Sequence, residues 1–236
     1  MSRRPLMLLF IPLVSFAAGC LRSGSQPEAG APPSINDNFK GDVDVDKYVG
    51  IFEGESRELF KHRATILEAL KLKPGMAVAD IGAGTGFYSM MFAQEVGPKG
   101  KVYAVEIAEE FLSHIEETAK ERGLTNVTTV LCSDDSSKLP PESIDLAFIC
   151  DVYHHFEHPR STMRSIHRAL RTGGEVVVID FTRIEGVSRE WVLDHVRAGE
   201  EETTREIVAD GFEVIRDVPD ASYLEESYMV RFRKKG

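Results

Sequence analysis

Asp80-Ile81-Gly82-Ala83-Gly84-Thr85-Gly86 places one carboxylate and three alternating glycines in a single short stretch. Glycine carries no Cβ, so such a turn lets backbone N–H groups press against a flat ligand. Glu106 ends a second apolar run, 24 positions after Gly82. A carboxylate there can accept both hydroxyls of a ribose that lacks a 2′-phosphate. Acid, glycine turn and second acid together fit the grip on a nucleoside cofactor at the carboxyl edge of an open α/β sheet. Three further groups surround this pattern. Ser133-Asp134-Asp135 offers acids for a nucleobase amino group, or for capping a turn. Asp151-Val152-Tyr153-His154-His155 follows another apolar run. Histidine titrates near neutrality, which makes His154 and His155 candidate catalytic bases. Asp151 is a candidate cofactor ligand, and alternatively a helix cap. Tyr48, Arg57, Tyr153 and Arg183 are candidate substrate contacts, with a solvated surface as the competing reading for those at the periphery.

Positioning these residues requires strands and helices in alternation. Apolar runs predict strands at 77–81, 101–107, 127–132, 144–150 and 175–181. Helical spacing predicts helices at 56–70, 87–96, 109–122 and 160–170, and one at 188–209 that breaks near Gly199. The run at 144–150 is almost unbroken, as a strand covered on both faces should be. Segments 212–218 and 228–232 close the chain as strands. The link between them is too short for a crossover helix, which favours an antiparallel final pair. The expected fold class is α/β: a doubly wound, mostly parallel seven-stranded sheet with an antiparallel final strand. In the helix after the fifth strand, Trp191 and His195 share a face; core packing is the expected role of Trp191, and Arg197 is a candidate for an acidic substrate group.

The 236 residues carry a formal net charge of −10, which disfavours a nucleic-acid partner. Cys132 and Cys150 read as buried free thiols, and neither they nor the spacing of His154, His155 and His158 matches a common structural metal site, so no metal is expected. The N-terminus has Arg3 and Arg4, an apolar stretch at 6–18, then Ala17-Ala18-Gly19-Cys20. This resembles a bacterial lipoprotein signal, which implies cleavage before Cys20 and a lipid on that cysteine. The expected division is a signal at 1–19, a tether at 20–37, a helical lid at 38–71 and the main domain at 72–236. The corresponding location is membrane-attached or periplasmic, or cytoplasmic if the start is misassigned.

Residues 72–235 resemble the class I S-adenosylmethionine-dependent methyltransferases. The marks are the 80–86 turn, Val105-Glu106-Ile107, Ser133-Asp134-Asp135, the Ile144-Asp145-Leu146 run into Asp151, and Leu170-Arg171-Thr172-Gly173-Gly174. The resemblance implies S-adenosylmethionine as cofactor. It places Gly82, Ala83, Gly84 and Gly86 against the methionine end, Asp80 near the ammonium, and Glu106 on the ribose. Ile107 then packs on the cofactor, Asp135 (or alternatively Asp134) meets the adenine, and Asp151 stands at the mouth of the fourth strand. The implied reaction is methyl transfer to a small molecule or a membrane-associated metabolite. The alternatives are a nicotinamide-dependent oxidoreductase and a surface lipoprotein that keeps the fold without catalysis.

Overall fold

The apolar runs form one seven-stranded sheet in the computed structural model, which describes residues 30–54, 57–216 and 221–236. The expected signal, Cys20 and most of the expected tether lie outside the described residues. The strands are β1 (Ala77–Ile81), β2 (Lys101–Glu106), β3 (Val127–Leu131), β4 (Ile144–Cys150), β5 (Leu170–Phe181), β6 (Phe212–Val214) and β7 (Ser227–Lys234). Their order is β3-β2-β1-β4-β5-β7-β6. The pairs from β3 through β5 are parallel, while β7 runs antiparallel to both β5 and β6. The reversal follows from the short link before β7, as the sequence predicts.

The central strands are dry. All five side chains of β1 are buried, and Leu146, Phe148 and Ile149 of β4 are fully covered. Each large apolar side chain so buried contributes roughly 1.5–3 kcal/mol. That surplus lets the same strands carry costly buried acids at their carboxyl ends. Helices α4 (Phe87–Val96), α5 (Glu109–Glu121) and α6 (Pro159–Ala169) are the crossovers between parallel strands. One core cluster joins Leu59, Ile66, Leu70 and Phe92 to Val78 and Phe148; another joins Met163 and Ile166 to Ile149, Val178 and Phe232.

Several boundaries differ from the sequence expectation. Strand β5 starts at Leu170, where the chain pairs with Ile144, and a register shift then absorbs Gly173 and Gly174 before pairing resumes at Glu175. The glycine pair is therefore an irregularity inside a strand rather than the turn ahead of one. Strand β6 is only three residues long. The expected helix at 188–209 divides into α7 (Glu190–His195) and α8 (Glu200–Ala209), with extended Gly199 as the break. The expected helix at 56–70 divides at His62 into α2 (Glu58–Lys61) and α3 (Arg63–Leu70). Before them lies α1 (Val45–Phe52), begun by Asp44, whose carboxylate accepts the Lys47 N–H at 3.1 Å.

Candidate active site

The carboxyl ends of β1 through β5 open into one cavity of about 330 Å³. The strand order sorts its wall: Asp134 follows β3, Glu106 ends β2, the glycine turn follows β1, Asp151, His154 and His155 follow β4, and Phe181 ends β5. The glycine turn needs its glycines for two physical reasons. Gly82 has φ +69°, and a Cβ there would lie 2.5 Å from a Val152 methyl. Gly86 has φ +79° at the start of α4, and a Cβ would lie 2.6 Å from Ile115. A side chain at either position meets both backbone strain and a steric clash.

Glu106 is buried, and its two oxygens accept three backbone N–H groups. Gly84 donates to Oε2 at 2.9 Å, and Ile107 and Ala108 donate to Oε1 at 2.7 and 3.3 Å. Burial raises its pKa, and those N–H groups oppose the rise. Asp80 accepts from Ser89 Oγ at 2.7 Å. Burial, with the like charge of Glu106 adding to it, pushes Asp80 up to about 7, against the Ser89 hydrogen bond. Asp151 sits at φ +55° and accepts from Arg57 Nη2 at 2.6 Å. Its other oxygen is buried without a hydrogen-bond partner among the described residues. Burial raises the Asp151 pKa, and Arg57 works against that.

The N-terminal segment covers this end of the cavity. Phe52 stands beside Gly84, and Thr85 Oγ1 donates to Glu53 Oε1 at 2.8 Å. Arg57 also donates to the Phe52 carbonyl at 3.2 Å and lies over the Phe52 ring.

Ala83 and Ile107 line the cavity as expected. Asp134 lines it too, but Asp135 does not: Ser133 Oγ donates to its Oδ1 at 2.8 Å. The two substrate-side histidines line the wall, whereas three of the expected substrate contacts do not. Tyr48 packs among Phe39, Phe52 and Phe111 in the covering segment. Tyr153 is buried in the core, where its hydroxyl donates to Glu206 Oε2 at 2.8 Å. Arg183 is spent on the Leu193 carbonyl at 3.0 Å. Arg57 does line the wall, but as the partner of Asp151. Arg197 is held by both oxygens of Glu206 at 2.9 and 2.8 Å, not left for an acidic ligand. Trp191 is the reverse case. It is 42% exposed rather than packed in the core, and lies edge-on to Phe181 on the cavity wall. Cys132, just after β3, and Cys150, the last residue of β4, are half-buried free thiols at the ends of strands that are not neighbours, and burial pushes Cys132 up to about 12.

The histidines are set by their partners. His154 is 3% exposed, and its Nδ1 lies 2.7 Å from Asp180 Oδ1. His155 Nδ1 lies 3.1 Å from Asn36 Oδ1. Burial, reinforced by the neighbouring imidazoles His154 and His195, pushes His155 down to about 3. So weak a base gives little driving force for proton abstraction at neutral pH, which argues against His155 as a general base. His195, on α7, joins the two rings with centroids 5.2 Å from each. Its distance along the chain hid it from spacing arguments; its helical position relative to Trp191 was the available signal.

These residues fit an adenosyl sulfonium. The glycine turn leaves a cradle that a Cβ would fill, buried Glu106 stands at the end of β2 on the cavity wall, and Asp80 with the unpartnered Asp151 oxygen offers acceptors for an ammonium group. When bound, that cofactor supplies an electrophilic methyl group and a neutral sulfide leaving group. Fold and cavity together define an α/β domain for an adenosyl cofactor.

Residues 72–226 match the methyltransferase domain family, and the chain belongs to it. The ubiquinone/menaquinone biosynthesis C-methyltransferase UbiE of Bordetella parapertussis is 29% identical over 113 residues, covering 48% of this chain and 43% of that protein. The UbiE protein of Burkholderia cenocepacia is 28% identical over 127 residues, covering 52% and 51%. The chain thus spans about half the length of the curated relatives it matches. A SAM-dependent methyltransferase from Aquifex aeolicus is 25% identical, with a TM-score of 0.69, covering 82% of this chain and all of that one.

Proposed function

We propose that the chain transfers the methyl group of S-adenosylmethionine to a small acceptor with an aromatic or quinol-like ring. The observation that carries this reading is the division of the cavity wall. The glycine turn and the acids Asp80, Glu106 and Asp134 lie along β3, β2 and β1; Asp151 follows the adjoining β4, and the rings of His154, His155, Phe181 and Trp191 lie beyond β4 and β5. A cavity of about 330 Å³ is at the small end for a ligand site, which favours a compact acceptor over a macromolecule. The UbiE relatives, named as C-methyltransferases of quinone biosynthesis, support carbon as the acceptor atom. The lipoprotein-like sequence pattern up to Cys20 favours a location at a membrane, within reach of an apolar acceptor.

In this reading Asp80 and Asp151 fix the amino-acid end of the cofactor and Glu106 its sugar, while the aromatic wall stacks the acceptor ring. Holding donor and acceptor in line supplies most of the rate, because the methyl group is already activated. The test is thermal-shift titration of the full chain with S-adenosylhomocysteine, then mass spectrometry of a quinol and phenol panel incubated with S-adenosylmethionine. Stabilisation by the ligand and a methylated ring carbon are expected. No stabilisation, or methylation confined to protein or nucleic acid, refutes the reading.

A further inference from the structure

We propose that His154, His155 and His195 bind a divalent transition-metal ion of the zinc type, with one coordination position open toward the acceptor side of the cavity. One ring nitrogen from each histidine lies within 4.8 Å of the other two. Three imidazoles around one zinc at 2.0–2.1 Å stand roughly 3.3 Å apart, so a modest inward shift completes the site. His195 can make it, since it is exposed on the six-residue α7.

Hydrogen bonding fixes which nitrogens are free. Asp180 is 1% exposed, and its carboxylate accepts the His154 N–H at 3.1 Å and the Phe181 N–H at 2.8 Å. An ionised carboxylate only accepts, so His154 Nδ1 carries the proton in its 2.7 Å contact with Asp180. Asn36 donates its amide nitrogen to the His155 carbonyl and to Glu157 Oε1, both at 3.1 Å, which leaves Asn36 Oδ1 as an acceptor. His155 Nδ1 therefore donates to it. Both rings are left with a bare Nε2. A carboxylate or amide oxygen behind each imidazole is the support that metal-binding histidines carry.

Three imidazoles suit zinc, iron, nickel or copper, and three protein ligands with an open fourth position make a reactive centre rather than a structural one. The role deepens the acceptor reading above and rests on it. An acceptor hydroxyl coordinated there loses its proton: the O–H bond breaks, the proton leaves to solvent, and the electron pair stays on the metal-held oxygen. The ring carbon beside that oxygen is then electron-rich toward the methyl group.

The untagged full chain, stripped with chelator and titrated with Co²⁺ and then Zn²⁺, tests the site. We expect one ion per chain, visible cobalt absorption bands, and displacement by zinc. His195→Gln should abolish the bands, and Asn36→Ala should weaken binding by roughly 10–100-fold. His114→Gln, on α5, should leave the bands intact. Stabilisation by S-adenosylhomocysteine serves as the fold check for each variant. Absence of saturable binding in a chain that still responds to S-adenosylhomocysteine overturns the metal site alone, as does undiminished binding in His195→Gln. Metal binding without any response to S-adenosylhomocysteine sinks the methyl-transfer reading and leaves the metal site standing.

Discussion

Glu106 accepts the Gly84 N–H at 2.9 Å, tying the glycine turn of β1 to the end of β2. With the Ile107 and Ala108 N–H groups also accepted, the carboxylate holds the turn open before any ligand arrives. Glu106→Gln keeps the shape but gives one side an N–H donor facing N–H groups. Hydrogen bonds to a charged group are worth about 1.5–3 kcal/mol, so S-adenosylhomocysteine affinity should fall by roughly 10–100-fold in calorimetry.

Asp80 makes stability depend on pH. Its pKa rises from 3.8 to about 7 on folding, so between those values the folded state holds a proton that the unfolded state has lost. Stability of the ligand-free protein is therefore expected to fall as pH rises through that window, by on the order of 1.4 kcal/mol for each pH unit crossed. Asp80→Asn should flatten the profile in scanning calorimetry. A ligand ammonium beside Asp80 favours the ionised form, so S-adenosylhomocysteine should bind more tightly above pH 7 than below it, with proton release at the lower pH.

Arg57 and Asp151 lie 94 positions apart in sequence and meet at 2.6 Å. Arg57→Ala leaves a buried carboxylate without its cation, which costs more than removing both charges. A double-mutant cycle with Asp151→Asn should give a coupling of roughly 0.5–3 kcal/mol in urea unfolding. Additive single effects would show that the pair does not hold the covering segment in place.

Trp191 is the sole tryptophan of the chain and lines the cavity edge-on to Phe181, on the side proposed for the acceptor. Its fluorescence should respond more strongly to the acceptor than to S-adenosylhomocysteine. Trp191→Ala should raise the acceptor KM several-fold while leaving S-adenosylhomocysteine affinity unchanged, since the lost ring area is all on that side.

The sheet was legible because its parallel strands are continuous apolar runs punctuated by glycine and proline, and β1, α4 and β4 match their predicted limits. The turn at Gly82, Gly84 and Gly86 was legible because it takes positive φ at all three positions, and Glu106 because it ends an apolar strand. The substrate side was less so. Tyr153 and Arg197 look like site residues in sequence, yet they meet Glu206 in the core, a contact that depends on where α8 docks. Trp191 was expected inside, on a helix face shared with His195, but it is exposed and lies edge-on to Phe181 on the cavity wall. Asp134 and Asp135 differ by one position, yet Asp134 lines the cavity while Asp135 accepts from Ser133, a difference that spacing does not reveal. His195 reaches the other two histidines only because α7 folds back across the end of β5.

The order of the strands also separates two tasks in heredity. Changes after β5, in α7, alter the Trp191 side of the cavity and leave the turn after β1 and the acid at the end of β2 in place, whereas the turn after β4 packs Val152 against Gly82 and is tied to it. A lineage built on this sheet can exchange one chemical customer for another by editing loops on one flank.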